Sequence, residues 1–299
     1  MGTNVGDVAA RIGQNDAIHL FHETAEPVLY REPAYVRFKE IKINSVTYQA
    51  AYSLIRDSLA TGKKGFVCLT DVGNVIAATK DDGLRAAINK SLLSLADGTP
   101  LTWFARLAGC RNIERVSGMD LMVRLFQETE SHRHFLLGDT ETTIARVKEK
   151  ALQINPNLHI TGYSPPFREF TEEDNRDIIE RINAARPDIV WVSFGGGRQE
   201  KWMMTHYDKI DRGIMMGVGA AFRWLIGDIK APPRIVQKAG LQWLFRMISE
   251  VRNNPGKALL MIYKRPLRRF PVFIAHFPFQ VMAERRKVRA LCVEERSRL

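Results

Sequence analysis

The amino-acid sequence predicts an α/β fold, with a parallel sheet covered by helices on both of its faces. Across the middle of the 299-residue chain, short apolar runs alternate with longer segments whose apolar residues recur at helical spacing. The short runs are apolar at consecutive positions, which is typical of strands that are buried on both faces. Strands that alternate with helices form parallel sheets, because each crossover helix packs back onto the sheet.

The first predicted strand is Gly65–Thr70, a short apolar run that ends in polar residues. Four further strands are predicted on the same grounds, at residues 134–137, 158–161, 188–194 and 213–218. Helical spacing predicts helices at residues 81–95, 119–128, 140–154 and 172–185, and another that begins at about Gln199. The regular order of these elements indicates a Rossmann-like sheet with helices on both faces.

Polar loops follow several of the predicted strands, and ligands bind at the carboxyl ends of strands in sheets of this kind. The loops are residues 70–74, 138–141, 163–167 and 195–200. The last of them contains Gly195, Gly196 and Gly197, whose backbone amides could face an anion at a helix N-terminus. An ordinary strand-to-helix turn explains the same residues equally well. The loop matches neither the dinucleotide pattern GxGxxG nor the P-loop pattern, which excludes both assignments.

Charge is distributed unevenly along the chain, which has 44 Lys and Arg against 33 Asp and Glu. Residues 223–299 hold 17 basic and 5 acidic residues, whereas the first 222 residues hold 27 and 28. A basic C-terminal part of this kind indicates a surface that meets phosphates. We therefore divide the chain into an N-terminal extension or partly ordered arm (1–45), an α/β core (46–228) and a basic C-terminal appendage and tail (229–299).

The appendage is predicted to associate with a membrane surface. It contains an amphipathic helix at residues 239–252, followed by arginines interleaved with phenylalanines and aliphatic residues. Such a segment suits anionic headgroups and the acyl boundary, and also single-stranded nucleic acid. The aromatic residues are nearly all phenylalanine and no nucleic-acid motif is present, which favours the membrane. No signal peptide and no spanning run of 18 apolar residues is found, so a cytoplasmic, peripheral protein on the inner face is expected.

Metal and thiol chemistry are not expected. The three cysteines, Cys68, Cys110 and Cys292, lie far apart, which excludes a disulfide scaffold and fits a reducing cytoplasm. Asp139 and Glu141 form the clearest carboxylate pair, but Asp139 or Thr140 is better interpreted as a cap at a helix N-terminus. We therefore predict no metal site and no cofactor.

An ordered series of motifs runs from about Val46 to about Phe270. It comprises Asp97-Gly98, Glu114-Arg-Val-x-Gly-x-Asp-Leu121, Gly162-Tyr-x-Pro-Pro-Phe167, Gly195-x-x-x-Gln-Glu-x-Trp202, Gly217-Val-Gly-Ala-Ala-Phe222 and Gln237-x-x-Gly-Leu-x-Trp-Leu-x-Arg246. This series resembles the WecG/TagA/CpsF glycosyltransferases. The resemblance implies an inverting, metal-independent transfer of a hexose from a UDP-sugar to a sugar on polyprenyl diphosphate, in exopolysaccharide, capsule or cell-wall polymer synthesis.

The resemblance also assigns roles to individual residues. Asp97 occupies the position of the proposed general base, Thr70 that of a threonine lining the site, and Arg115 that of a basic residue near the donor. Gln199 matches a glutamine of the site, and Arg246 and Arg252 match arginines that offset the charge of the leaving UDP. Gly138, Gly195 and Gly196 are the loop glycines expected at the donor.

Four departures from the family pattern leave the donor sugar open. The motif Thr-x-Asn is Thr70-Asp71-Val72 here, with Asn74 two places later, and a proline of the glycine loop is Gly197. An aspartate after the Gly217 motif is Arg223, and Glu-Pro-Arg after the last matched helix is Glu250-Val-Arg252. Donors of the UDP-glucose and UDP-N-acetylmannosamine types are both compatible. The alternative function from the residues alone is a non-catalytic nucleotide- or nucleic-acid-binding protein. A sugar-nucleotide epimerase or dehydrogenase would need the nicotinamide pattern that is missing.

Overall fold

A computed structural model describes residues 33–128, 132–229 and 266–297, together with the single positions 236, 245 and 248. Residues 33–299 belong to one compact unit. The predicted helix at 239–252, with Arg246 and Arg252, lies outside the described residues, as does most of the N-terminal extension.

The centre of the fold is a six-stranded parallel sheet, as the sequence predicted. Its strands are β3 (Gly65–Thr70), β4 (Leu93–Ala96), β5 (Arg133–Gly138), β6 (His159–Tyr163), β7 (Ile189–Ser193) and β8 (Ile214–Gly217). Their order across the sheet is β4-β3-β8-β7-β5-β6. In the strand pairing, Thr70 at the end of β3 lies beside Ala96 at the end of β4, and Gly138 at the end of β5 lies beside Ser193 at the end of β7. The carboxyl ends of all six strands therefore meet along one edge.

Helices cover both faces of the sheet, which confirms the predicted fold class. They are α1 (Tyr48–Ala60), α2 (Val72–Ala78), α3 (Asp82–Lys90), α4 (Thr99–Ala108), α5 (Gly118–Glu128), α6 (Glu141–Ile154), α7 (Glu172–Ala185), α8 (Arg198–His206) and α9 (Ala221–Leu225). Consecutive side chains of a strand point to opposite faces. Accordingly Val67 and Trp191 pack with α1, α5 and α6, whereas Phe66 and Val190 pack with α7 and α8.

One predicted helix was too long. The helix expected at 81–95 ends at Lys90, and the chain then forms strand β4 beside β3. Four residues are too few to show strand periodicity in the sequence, and their apolar residues happened to continue the helical spacing of α3. Pairing with β3 decides the conformation, because it satisfies backbone groups that are buried there.

Part of the predicted N-terminal extension is ordered. Strands β1 (Tyr35–Phe38) and β2 (Ile41–Asn44) form an antiparallel hairpin whose apolar side chains are buried. The side-chain oxygen of Asn44 accepts a hydrogen bond of 2.7 Å from the amide of Ser94, which covers the outer edge of β4. The period-two pattern of Val36, Phe38, Ile41 and Ile43 was the available signal, and the interpretation as an arm was wrong for these residues.

The C-terminal helix (Pro266–Ser297) packs against α2, α4 and β1. Phe273 is only 2% exposed and stacks on Phe38, with 4.7 Å between ring centroids. Phe277 meets the ring of Phe104 edge-on. The appendage is helical here, as expected, but Phe273 belongs to the protein core and the partly buried Phe277 packs against it. The expected contact with lipid was therefore wrong for Phe273.

No helix in the described part of the chain is long and apolar enough to cross a membrane.

Candidate active site

Asp97 lies at the carboxyl edge of the sheet, directly after β4. Its backbone amide donates a 2.9 Å hydrogen bond to the carbonyl of Thr70, which ends the neighbouring strand. Gly98 then begins α4, so the Asp97 carboxylate precedes a helix N-terminus, where a negative charge is stabilised. Asp97 is half-buried, and therefore remains accessible to a ligand while the strand and helix fix its position.

Thr70 is fully buried beside this aspartate. Its hydroxyl is 2.9 Å from the hydroxyl of Ser94 on β4. Thr70 therefore ties the ends of β3 and β4 together, and its side chain supports the wall of the site from inside the sheet.

Arg115 belongs to the same end of the sheet. The amide of the next residue, Val116, donates to the carbonyl of Ala96, which immediately precedes Asp97. The guanidinium of Arg115 lies 3.6 Å from the carboxylate of Asp120 at the start of α5. The structure thus brings Asp97, Thr70 and Arg115 together, although they are far apart in sequence.

The glycine loop between β7 and α8 needs its glycines for geometric reasons. Gly195 and Gly197 have φ angles of +88° and +86°, and residues with a side chain adopt such angles only with backbone strain. A Cβ atom on Gly196 would lie only 2.5 Å from the side-chain oxygen of Asn74. Gly195 and Gly196 are exposed, so their backbone is open to a ligand.

Gln199 lines the site from within the protein. It is 3% exposed, its side-chain oxygen accepts from the amide of Gly219 at 3.1 Å, and its side-chain nitrogen donates to Glu200 at 3.0 Å. Both ends of the amide are thus engaged by the protein. Gln199 links the glycine loop to the loop that follows β8.

Glu200 is a residue whose importance the sequence interpretation missed. Its carboxylate is fully buried and accepts hydrogen bonds from Gly197, Asn74 and Gln199. Burial raises the pKa of Glu200, and the bonds from its own amide, Gln199 and Gly197 oppose that rise. The available signal was the spacing of Gly197 and Glu200, which is that of a capping box at the start of α8.

The end of β5 contributes a second glycine position and an ion pair. A Cβ atom on Gly138 would lie 2.6 Å from the carbonyl oxygen of Ser193, so a glycine is required for β5 to approach β7. Asp139 accepts two hydrogen bonds from Arg223, at 2.8 and 3.0 Å. Burial of Asp139 raises its pKa, but Arg223 and the amide of Thr140 outweigh this and lower it overall.

The predicted helix cap is confirmed at Thr140, whose side chain accepts from the amide of Thr143. Asp139 instead pairs with Arg223. In the part of the chain that the structure describes, no group of three or more His, Cys, Asp or Glu residues could hold a metal ion.

Arg269 is a cation from the C-terminal helix that reaches this edge. Its guanidinium nitrogen Nη1 lies 3.3 Å from the position of a Cβ atom on Gly73, in the first turn of α2. That turn directly follows Thr70 and Asp71. From the family resemblance, Arg246 and Arg252 were expected to supply the cations that offset the charge of the leaving UDP. The position of Arg269 depends on how the C-terminal helix packs against α2, which no local sequence pattern reveals.

Comparison with known proteins gives a family match over most of the chain. The family model for "Glycosyl transferase WecG/TagA/CpsF family" matches residues 36–287. Among curated proteins, one from Staphylococcus aureus strain MW2 is 24% identical over 216 residues, covering 71% of this chain and 77% of its own length. A second, from strain NCTC 8325 / PS 47, is 25% identical over 173 residues, covering 57% and 66% respectively. Both are named N-acetylglucosaminyldiphosphoundecaprenol N-acetyl-beta-D-mannosaminyltransferase.

The match spans the hairpin, the whole sheet and most of the C-terminal helix. It includes every described residue of the candidate site. The chain is a glycosyltransferase and belongs to the WecG/TagA/CpsF family.

Proposed function

We propose that this enzyme transfers a hexose from a UDP-sugar to a sugar on polyprenyl diphosphate, in the synthesis of a bacterial exopolysaccharide, capsule or cell-wall polymer. The observation that carries the proposal is the position of Asp97, a half-buried carboxylate at a helix N-terminus, on the same sheet edge as the segment of Arg115 and the exposed glycine loop. The names of the two relatives support a lipid-diphosphate sugar as acceptor.

The reaction is an inverting displacement. The Asp97 carboxylate removes the proton from the acceptor hydroxyl as the oxygen attacks the anomeric carbon of the donor. The bond from that carbon to the diphosphate oxygen breaks on the opposite side, and UDP leaves. A single displacement therefore inverts the anomeric configuration.

The leaving UDP gains negative charge, which cationic groups and backbone amides stabilise. Arg115 and Arg269 both lie at the carboxyl edge, and the exposed residues Gly195 and Gly196 follow β7 at the same edge. Arg246 and Arg252 are further candidates from the appendage. No step in this scheme requires a metal ion.

We expect activity to be independent of divalent metals. The charge of the diphosphate is met by arginines, and Asp139 is engaged by Arg223. Activity should therefore persist in excess EDTA. Loss of activity in EDTA, with recovery on adding Mg²⁺ or Mn²⁺, would show that a metal takes part.

The enzyme attaches to the anionic inner face of the cell membrane through the C-terminal helix. Between residues 271 and 283, one side of this helix is exposed and apolar. We call it the outer face, and it consists of Pro271, Ile274, Ala275, Pro278, Phe279, Met282 and Ala283. Ile274, Phe279 and Met282 are 57%, 66% and 54% exposed. These residues recur at the helical spacing that places them on a single stripe.

Basic residues accompany the outer face. Arg285, Arg286 and Lys287 are exposed and follow it directly along the helix. Anionic headgroups attract such residues, and apolar side chains add attachment that salt does not weaken. Salt should therefore weaken, but not abolish, co-sedimentation with anionic vesicles. Preference for competing RNA over vesicles would contradict the membrane proposal.

The donor sugar is tested by incubating the purified enzyme with a panel of UDP-sugars and a short-chain lipid-diphosphate-sugar acceptor. UDP release that requires both acceptor and one UDP-hexose supports the proposal and identifies the donor. UDP-glucose and UDP-N-acetylmannosamine are the donors to compare first, because Arg223 replaces an aspartate of the family pattern. Absence of acceptor-dependent release with every UDP-sugar would contradict the proposal.

A further inference from the structure

The buried carboxylate of Glu200 connects three loops of the site, although the chemistry above does not use it. Its oxygen Oε2 accepts from the amide of Gly197 at 2.6 Å, within the glycine loop. Its oxygen Oε1 accepts from Asn74 of α2 at 3.2 Å and from Gln199 at 3.0 Å. Gln199 in turn accepts from the amide of Gly219, after β8. The loops after β3, β7 and β8 thus meet at one side chain.

The groups that hydrogen-bond to this carboxylate, namely Gly197, Asn74, Gln199 and its own amide, are all donors. An ionised carboxylate only accepts hydrogen bonds, so it satisfies all of them at once. A protonated carboxyl group or a glutamine amide would direct a hydrogen at one of these donors. The geometry therefore assigns the ionised form to Glu200.

Keeping this carboxylate ionised has an energetic cost, because it is fully buried and its donors are neutral. The carboxylate of Asp71 also raises the pKa of Glu200. Cys68 on β3 is another titratable group nearby, and burial and Glu200 both raise the pKa of its thiol. An arrangement that costs stability and joins the loops of a site indicates a role in positioning rather than in folding.

We propose that Glu200 is a positioning residue, whose ionised carboxylate holds the glycine loop in register with the loops after β3 and β8. This proposal rests on the proposed function for its consequence in activity, but its structural part does not. Without this link, the open amides of Gly195 and Gly196 would lose their position relative to Asp97. Displacement of reacting groups by about 1 Å costs about 100-fold in rate.

The first test compares Glu200→Gln with Glu200→Asp and with Glu180→Gln, an exposed glutamate on α7 that serves as control. We expect kcat/KM to fall about 100-fold in Glu200→Gln, with a melting temperature within a few degrees of wild type. Glu200→Asp keeps a carboxylate, so its kcat/KM should be about tenfold higher than that of Glu200→Gln. Wild-type activity in Glu200→Gln would overturn the proposal.

A compensating substitution separates positioning from a general loss of packing. In Asn74→Asp the new carboxylate faces Glu200, and we expect activity to fall. In the double variant Glu200→Gln with Asn74→Asp the hydrogen bond is restored in the reverse direction, because residue 200 now donates and residue 74 accepts. The double variant should therefore be more active than Glu200→Gln alone, and losses that simply add would contradict the proposed link.

Amide hydrogen exchange tests the structural part without any substrate. In Glu200→Gln the amides of Gly197 and Gly219 should exchange faster, the second because Gln199 loses its anchor, while strand amides keep wild-type protection. If both amides exchange faster in Glu200→Gln but the wild-type protein itself shows no transfer activity, the link is upheld and the proposed function is refuted. Wild-type exchange at both amides overturns the link, whatever the activity.

Discussion

The carboxyl edge of the sheet contains buried polar residues that are hydrogen-bonded to several loops, whereas the C-terminal helix carries apolar residues on both a buried side and an exposed side. At the edge, Gln199 and Glu200 are buried and bonded to several loops, so each position depends on its neighbours. On the helix, the same residue type has two roles: Phe273 is 2% exposed and Phe279 is 66% exposed. The role of a phenylalanine there depends on the side of the helix, which composition alone does not reveal.

The largest expected effect comes from removing the helix altogether. Although this helix lies outside the predicted α/β core (46–228), its rings Phe273 and Phe277 pack on Phe38 of β1 and Phe104 of α4. A chain that ends at Tyr263 should aggregate or lose its cooperative thermal transition. A monodisperse protein with a wild-type melting temperature would show that the helix is dispensable for folding.

A matched pair of substitutions separates the two faces of the helix. Phe273→Ala removes a buried ring and should lower the free energy of unfolding by about 3–5 kcal/mol. Phe279→Ala removes an exposed ring and should change it by about 0.5 kcal/mol or less. Urea denaturation of both variants measures the difference. Equal losses of stability would mean that the assignment of the faces is wrong.

The outer face should affect membrane attachment without affecting the fold. A triple variant with serine at positions 274, 279 and 282 lacks the apolar attachment. It keeps the basic residues Arg285, Arg286 and Lys287. We expect this variant to bind anionic vesicles weakly and to be released completely by salt, with an unchanged melting temperature. Activity on a lipid-linked acceptor should fall further than activity on a soluble analogue. Salt-resistant binding like that of wild type would argue against lipid contact by this face.

The smallest expected effect is a pH dependence that arises in α8, the helix that carries Gln199 and Glu200. Burial lowers the pKa of His206, which stacks on Trp202. The unfolded chain therefore binds a proton here at a higher pH than the folded protein does. The contribution of His206 to the free energy of unfolding is fully present above about pH 6.5, and it is lost as the pH falls towards the lowered pKa.

His206→Gln should reduce the slope of stability against pH between about pH 7 and pH 5. Urea denaturation at several pH values measures this slope. His276, on the C-terminal helix, provides the comparison, because its substitution should leave the slope contributed by α8 unchanged. An unaltered slope in His206→Gln would exclude His206 as the source.

The sequence predicted the parts of this molecule that depend on local pattern. Buried strands such as Gly65–Thr70 are apolar at consecutive positions, and the cap at Thr140 follows from its place before α6. The glycine loop was also accessible, because it follows a predicted strand, whereas Asp97 was identified only through the family resemblance, since a helix was predicted before it. The four-residue strand β4 was missed, since its pairing with β3 is a tertiary contact.

The missed residues of the site share one property. Glu200 and Arg269 are defined by partners from other elements, Asn74 in one case and the first turn of α2 in the other. The capping-box spacing marks Glu200 only as a residue at the start of α8; no periodicity or spacing encodes its contact with Asn74 or the approach of Arg269. The burial of Gln199 was missed for the same reason, since it depends on Gly219 of a different loop.

The most direct test of the account measures transfer by Asp97→Asn. Product formation is followed by the mass of the lipid-linked acceptor, which gains one hexose, with the donor found in the panel and a saturating acceptor. Asp71→Asn is the matched control, because asparagine caps α2 as well as aspartate does. We predict that Asp97→Asn lowers kcat by about 100-fold or more with little change in UDP affinity, as expected for loss of a general base. Near-normal turnover, or a loss of UDP affinity alone, would contradict the assignment of Asp97 as the base.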